Sequence, residues 1–462
     1  MTLMSIARWT PSSAFFARNK TSNCMKHPES LPSLVFTDAA GNINDFPELG
    51  MTGMSGSHFL PPELNDLIPL PEGSELFTMP GRLPVGWDFG SREPVLLTEH
   101  PWDEENKSIN AVAAFIAPAH TSILTSSYQT QKDAPRLPLF AYTAVGWKDD
   151  QFWVPAFRSD KDVRQDFSQY NREDVERRTA LKLKAHRDNR LIQHLGKCCL
   201  TYGCPAARNY FLERWEAPLP TSPVCNARCL GCISLQESGI CSAQERITFV
   251  PTVRELCEIA IPHLKKAPNP VVSYGQGCEG EPLMQSAVLR ESIIQMREAT
   301  DLGTINLNSN ASLPEKVKEL AAVGLDSLRI SLNSAQESCY NAYYRPKSYC
   351  FDDVKRSIDM MKDAGRFVSF NYFVIPGFTD SDEEFIALSN LVASHPPDFI
   401  QLRNLNIDPE WYFETVWGKP HSLSEGITPW LDKLKARFPE LGFGYFNPNV
   451  HPTQKKKKYD KR

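Results

Sequence analysis

A chain of 462 residues is long enough for two or three domains, and 41% apolar with 23% charged residues describes a globular protein, not a fibrous or disordered one. The net charge of −5 gives no global electrostatic case for nucleic acid, and no run of eighteen apolar residues is present to cross a membrane. Twelve cysteines in a chain of this length are not a disulfide scaffold, and their clustering favours metal or redox use in a reducing compartment.

Residues 1–60 scatter Ser, Pro and Gly through weak periodicity and read as a mostly irregular extension. The first 28 residues lack Asp and Glu but carry Arg8, Arg18, Lys20 and Lys26, a composition faintly like a transit peptide. Pro11 opposes an amphipathic helix there, and Met25 is an alternative start. The expectation is a disordered extension on a cytoplasmic protein. Residues 61–165 read as a small β-rich domain. Pro94–Leu97, Ala111–Ile116 and Leu139–Val145 are short apolar runs, and Lys148-Asp149-Asp150 between Trp147 and Phe152 reads as a hairpin turn.

Residues 166–214 read as a helical linker with a cysteine-rich segment. Asn171 is an N-cap, and a charged helix runs to about His194 with Gly196 as its stop. Cys198, Cys199 and Cys204 follow within seven residues. They are read either as ligands of an auxiliary iron–sulfur cluster or as small buried thiols. Cys241 and Cys278 are further candidates, Cys278 alternatively as a substrate or radical partner.

From 215 to 405 strands alternate with helices. The strands are Val271–Tyr274, Thr304–Asn308, Leu328–Leu332, Val368–Ile375 and Phe399–Leu402, after a short one near Leu219–Val224. The helices are Leu283–Ala299, Pro314–Val323, Phe351–Ala364 and one capped by Asp380 that runs to about Ser394. Alternation of this kind implies an α/β fold with a parallel sheet, here a partial (β/α)6 TIM-type barrel preceded by the small β-rich domain. Sites in such folds lie at the carboxyl ends of the strands. Residues 406–462 are a C-terminal extension, and Lys455–Lys458 read as a solvated basic tail.

The chemistry concentrates in Cys225-Asn226-Ala227-Arg228-Cys229-Leu230-Gly231-Cys232, a C-x3-C-x2-C loop. Thiolates this close together hold iron–sulfur irons, and three of them leave the fourth iron of a [4Fe–4S] cluster open. No second C-x2-C knuckle follows to make a zinc site. Downstream, Gly280-Glu281-Pro282 ends one strand, Asn306, Asn308 and Ser309 the next, and Ser331 and Asn333 the fourth. Val374-Ile375-Pro376-Gly377 ends the fifth. Each alone is ordinary turn and capping chemistry.

Together, in this order, these elements resemble the radical S-adenosylmethionine (radical SAM) superfamily over about residues 215–405. Tyr343-Tyr344-Arg345-Pro346 is similar to a further family element. Glu279 stands where the family's GGEP element has its first glycine, a departure. The resemblance implies an enzyme in which Cys225, Cys229 and Cys232 hold a [4Fe–4S] cluster whose open iron binds S-adenosyl-L-methionine. It places Gly280, Glu281, Pro282, Asn306, Asn308, Ser309, Ser331, Asn333 and Ile375 against that cofactor. Reductive cleavage then yields methionine and a 5′-deoxyadenosyl radical that abstracts hydrogen from a substrate. An electron donor such as flavodoxin or ferredoxin is implied as partner. The reading of a different class is an iron–sulfur binding or redox-sensing protein without radical catalysis.

Overall fold

The computed structural model describes residues 31–236, 241–418 and 423–451. The extreme N-terminal readings and the Lys455–Lys458 tail lie outside these. The described residues fall into two units. One takes the chain up to Ser159 with segments 373–386 and 403–437; the other takes 160–372, 387–402 and the chain from Phe438.

The first unit is built on an eleven-stranded sheet whose strand pairs are antiparallel. Its core packs Val35, Leu76, Val112, Ala114, Ile116, Val145, Phe152, Val154 and Ala156. Asp149 and Asp150, both at positive φ, close the hairpin between Gly146–Lys148 and Gln151–Arg158. Two left-handed residues in a two-residue loop match the right-handed twist of the strands. Two expectations change here. Ser33–Thr37 and Ile43–Gly50 are strands inside the stretch read as irregular. The second is polar and contains Pro47, so periodicity conceals it. Leu139–Val145 forms no regular strand; Thr143 alone makes isolated bridges, to Ala114 and Thr125. The Pro376–Asp380 turn belongs to this unit: Gly56 N donates to Pro376 O at 3.1 Å, and Asp380 Oδ1 accepts from Gly377 N. Asp380 is therefore not the cap of the next helix. Ser381 Oγ accepts from Glu384 N and caps Asp382–Ser394.

The second unit is centred on a curled parallel half-barrel sheet of seven strands, in the order Glu216–Pro218, Val271–Tyr274, Thr304–Ser309, Ser327–Leu332, Phe367–Val374, Phe399–Asn404 and Gly442–Gly444. Strands buried on both faces read as continuous apolar runs, and Val271–Tyr274 and Thr304–Ser309 are buried at every residue. The first strand lies earlier than expected. The last comes from the stretch read as an extension; three residues rich in glycine carry no strand signal.

The expected single helix to His194 is two helices, α1 (Arg172–Ala185) and α2 (Arg190–Leu200). Asn171 caps the first. Asn189 starts the second by accepting from Ile192 N, while its amide donates to Glu255 O and Glu258 Oε2. Those distant partners fix the break. Gly196 lies inside α2, where a Cβ would run into Leu183. It is a close-packing residue, not a stop.

His263, near the end of the helix Val253–Lys266, donates from Nε2 to Trp215 O at 2.7 Å and so ties that helix to the start of the first parallel strand. Burial pushes its pKa from 6.5 down to about 4. A neutral buried imidazole binds fewer protons than the unfolded chain between these values, so stability rises with pH across that window and is lost as pH falls from about 6.5 to about 4. His263→Gln is expected to remove on the order of 3 kcal/mol of this pH dependence. Urea unfolding of both proteins at pH 4.5 and 7 measures it; equal slopes for the two would contradict the assignment.

Candidate functional site

The cysteine loop is held from its neighbours through backbone and amide contacts. Tyr344 O accepts from Arg228 N and Tyr343 O from Leu230 N, each at 2.9 Å, and Lys347 N donates to Asn226 O at 2.8 Å. The Tyr343–Pro346 element thus serves the loop with its main chain. The Asn226 side chain donates to Ser312 Oγ and accepts from Asn310 Nδ2, both at 2.8 Å. These bonds leave the three sulfurs as the loop's chemical offering. Burial pushes the Cys225 thiol up to about 11 and Cys229 well above 9, with the other loop cysteines contributing to Cys229. Binding iron there displaces protons. Arg246 Nη2 lies 3.4 Å from Cys232 Sγ, and its Nε donates to Ser234 Oγ.

The Gly-Glu-Pro turn docks directly on the residues before Cys225. Gly280 N donates to Ser222 O at 2.7 Å and Glu281 N to Val224 O at 2.9 Å. A Cβ on residue 280 would run into the Val224 carbonyl, so only glycine permits this approach. Glu281 is 4% exposed. Its Oε1 accepts from Leu283 N and Ser309 Oγ, and its Oε2 from Asn310 N at 2.8 Å. Burial raises its pKa to about 7 against these bonds. A carboxylate has about four acceptor positions, so one remains for a donor.

Glu279 explains the departure from the glycine pattern. Its Oε2 accepts from Thr221 N, Thr221 Oγ1 and Ser222 N, and its Oε1 from Gly275 N and Gln276 N, at 2.7–3.0 Å. One buried carboxylate therefore joins the lead-in to the cysteine loop with the turn that ends the Val271–Tyr274 strand. Gly275, at φ +77, sits where a Cβ would strike Asn308 O.

Of the other predicted positions, Asn308 is engaged throughout. Its Oδ1 accepts from Asn306 and Asn447 and its Nδ2 donates to Gly275 O. Asn306 also donates to Ser273 Oγ, while its buried Oδ1 has no partner among the described residues. Ser309 acts on Glu281, and Asn333 Nδ2 donates to Cys339 O at 3.2 Å. Ser331 pairs in register with Asn371, and Pro282 opens the 3-10 turn Pro282–Gln285. Ile375 lies in the first unit, where its amide donates to Thr379 Oγ1.

Cys198, Cys199 and Cys204 do not share one focus. Cys199 Sγ lies 3.5 Å from Thr179 Oγ1, whereas Cys198 Sγ lies 3.6 Å from His194 Nε2. Consecutive helical residues project about 100° apart, which separates these two thiols. Sequence reasoning missed Arg246 and Asn310, whose roles depend on partners far along the chain. Glu279 was visible as a departure, without its function.

Residues 219–389 match the family model described as Radical SAM superfamily. This stretch of the chain is a radical SAM domain. Domains of this family occur in enzymes that use an iron–sulfur cluster and S-adenosylmethionine. The GTP 3′,8-cyclase of Clostridium perfringens (strain 13 / Type A) is 26% identical to this chain over 181 residues, 38% of the chain and 52% of the cyclase. The GTP 3′,8-cyclase of strain SM101 / Type A gives the same identity and coverage. The chain spans about half the length of these curated relatives. Among solved structures, methylornithine synthase aligns at 14% identity and TM-score 0.37, covering 59% of this chain and 71% of that one. The FeFe-hydrogenase maturase HydG from Carboxydothermus hydrogenoformans aligns at 15% identity and TM-score 0.35, covering 58% and 70%.

Proposed function

We propose that this chain cleaves S-adenosyl-L-methionine reductively and starts hydrogen abstraction from a substrate. The observation that carries the reading is the docking of Gly280 and Glu281 on Ser222 and Val224. It sets a buried carboxylate with a spare acceptor position beside the three-cysteine loop. Cys225, Cys229 and Cys232 hold the cluster. Glu281 accepts the ammonium of the methionine part, and the orphaned Asn306 Oδ1 offers a second polar contact. When bound, the cluster supplies an electron and an open iron, and the sulfonium supplies a cleavable carbon–sulfur bond. The chain's own work is orientation and exclusion of water, through the glycine approach at 280 and the buried strand ends. Arg246 offsets negative charge at Cys232. A flavodoxin or ferredoxin is proposed as the reductant and the cytoplasm as the compartment. Among the described residues no helix is long and apolar enough to cross a membrane.

Glu281→Gln tests the pocket. The substitution removes the charged acceptor and no iron ligand, so iron content stays normal while S-adenosylmethionine binding weakens by roughly 1.5–3 kcal/mol. Equilibrium binding to the anaerobically reconstituted protein reads this directly. An unchanged dissociation constant would show that Gly280-Glu281-Pro282 serves only as a turn.

A further inference from the structure

We infer that His194, Cys198 and Cys278 form a second metal site, separate from the three-cysteine loop and suited to one thiophilic divalent ion such as Zn2+. Their ligand atoms all lie within 4.8 Å of one another. His194 and Cys198 stand four residues apart on α2 and so share a helix face. Cys278 comes from the turn beyond the Val271–Tyr274 strand, where its carbonyl accepts from Ile247 N at 2.7 Å. Cys198 and Cys278 are buried and His194 half-buried, so the groups converge on a largely enclosed point.

The donor set decides the class of ion. Two thiols and one imidazole are a borderline-soft set, and zinc takes Cys2His with the fourth tetrahedral position left for water. Tetrahedral zinc places such donor atoms about 3.5–3.8 Å apart. The observed spread needs only a small closing movement of side chains. Binding releases the thiol protons. Neither neighbouring cysteine joins the group: Cys199 Sγ lies 3.5 Å from Thr179 Oγ1, and Cys204, the N-cap residue of the helix Pro205–Phe211, is not among the three that converge. An ion on this trio clamps α2 to the loop that carries Glu279 and Glu281. That gives the cysteine-rich linker a use, with one ligand set exchanged for the expected one.

The test uses the full chain with Cys225, Cys229 and Cys232 all replaced by serine, so that its outcome is independent of the radical reading. Anaerobic titration with Co2+ is expected to saturate at one ion per chain, with thiolate-to-cobalt charge-transfer absorption in the near ultraviolet that Zn2+ abolishes. Adding Cys198→Ser, Cys278→Ser or His194→Ala is expected to weaken Co2+ binding by roughly 100-fold or more. Cys199→Ser and Cys204→Ser are expected to leave it unchanged. Circular dichroism confirms the fold of each variant, and the half-buried His194 carries the test if a cysteine variant does not fold. Absence of the charge-transfer band in the parent overturns the proposal. So does binding that survives His194→Ala or Cys278→Ser, or that is lost on Cys204→Ser alone.

Discussion

Glu279→Ala is expected to destabilise the protein by about 3–5 kcal/mol. The carboxylate receives five donors, four of them backbone N–H groups, from two separate segments. Truncation leaves these groups buried beside a cavity, and each unsatisfied donor costs roughly 1–3 kcal/mol before relaxation. Water entry recovers part of that. Burial raises the Glu279 pKa to about 7 against these bonds, and with five donors on about four acceptor positions a proton on either oxygen would displace one of them. Glu279→Gln is expected to lose less, because one oxygen remains, but its amide nitrogen then faces N–H groups. Denaturant unfolding of the anaerobic apoprotein measures both. A cost below about 1 kcal/mol for alanine would show that the two segments hold their places without Glu279.

Single replacements of Cys225, Cys229 or Cys232 by alanine are expected to remove the loop's cluster or its redox chemistry. The parent should hold about four irons at this site after anaerobic reconstitution, and the triple variant none there. The loop itself should survive in the variants. Its conformation rests on the carbonyls of Tyr343 and Tyr344 and on the side chains of Asn226, Asn310 and Ser312, not on the sulfurs. Iron analysis beside circular dichroism separates loss of the ligand from loss of the fold. Iron content that stays near four in the triple variant would move the cluster to other ligands.

Local chemistry was legible in the chain. The C-x3-C-x2-C spacing, the Gly-Glu-Pro turn and the alternation of apolar runs with capped helices each involve residues close in sequence, so the five parallel strands from Val271–Tyr274 to Phe399–Asn404 and the cysteine loop ahead of them follow from pattern. What escaped depends on distant partners. The break between α1 and α2 is set by Asn189 reaching Glu255 and Glu258. The gathering of His194 and Cys198 with Cys278 requires the sheet to bring α2 beside the Gly275–Pro282 loop. The last parallel strand, Gly442–Gly444, is too short and too poor in side chains to announce itself. Asn306 and Asn308 were seen as polar strand ends, but only the structure shows Asn308 spent on Asn306, Asn447 and Gly275, with the Asn306 Oδ1 left without a partner among the described residues.

The most direct measurement is the formation of 5′-deoxyadenosine from S-adenosylmethionine by the anaerobically reconstituted protein under dithionite. The account predicts 5′-deoxyadenosine and methionine in equal amounts from the parent, and neither from the Cys225/Cys229/Cys232 triple variant. Production that persists in the triple variant, or its absence from a parent that carries an intact, reducible cluster and binds S-adenosylmethionine, would contradict it.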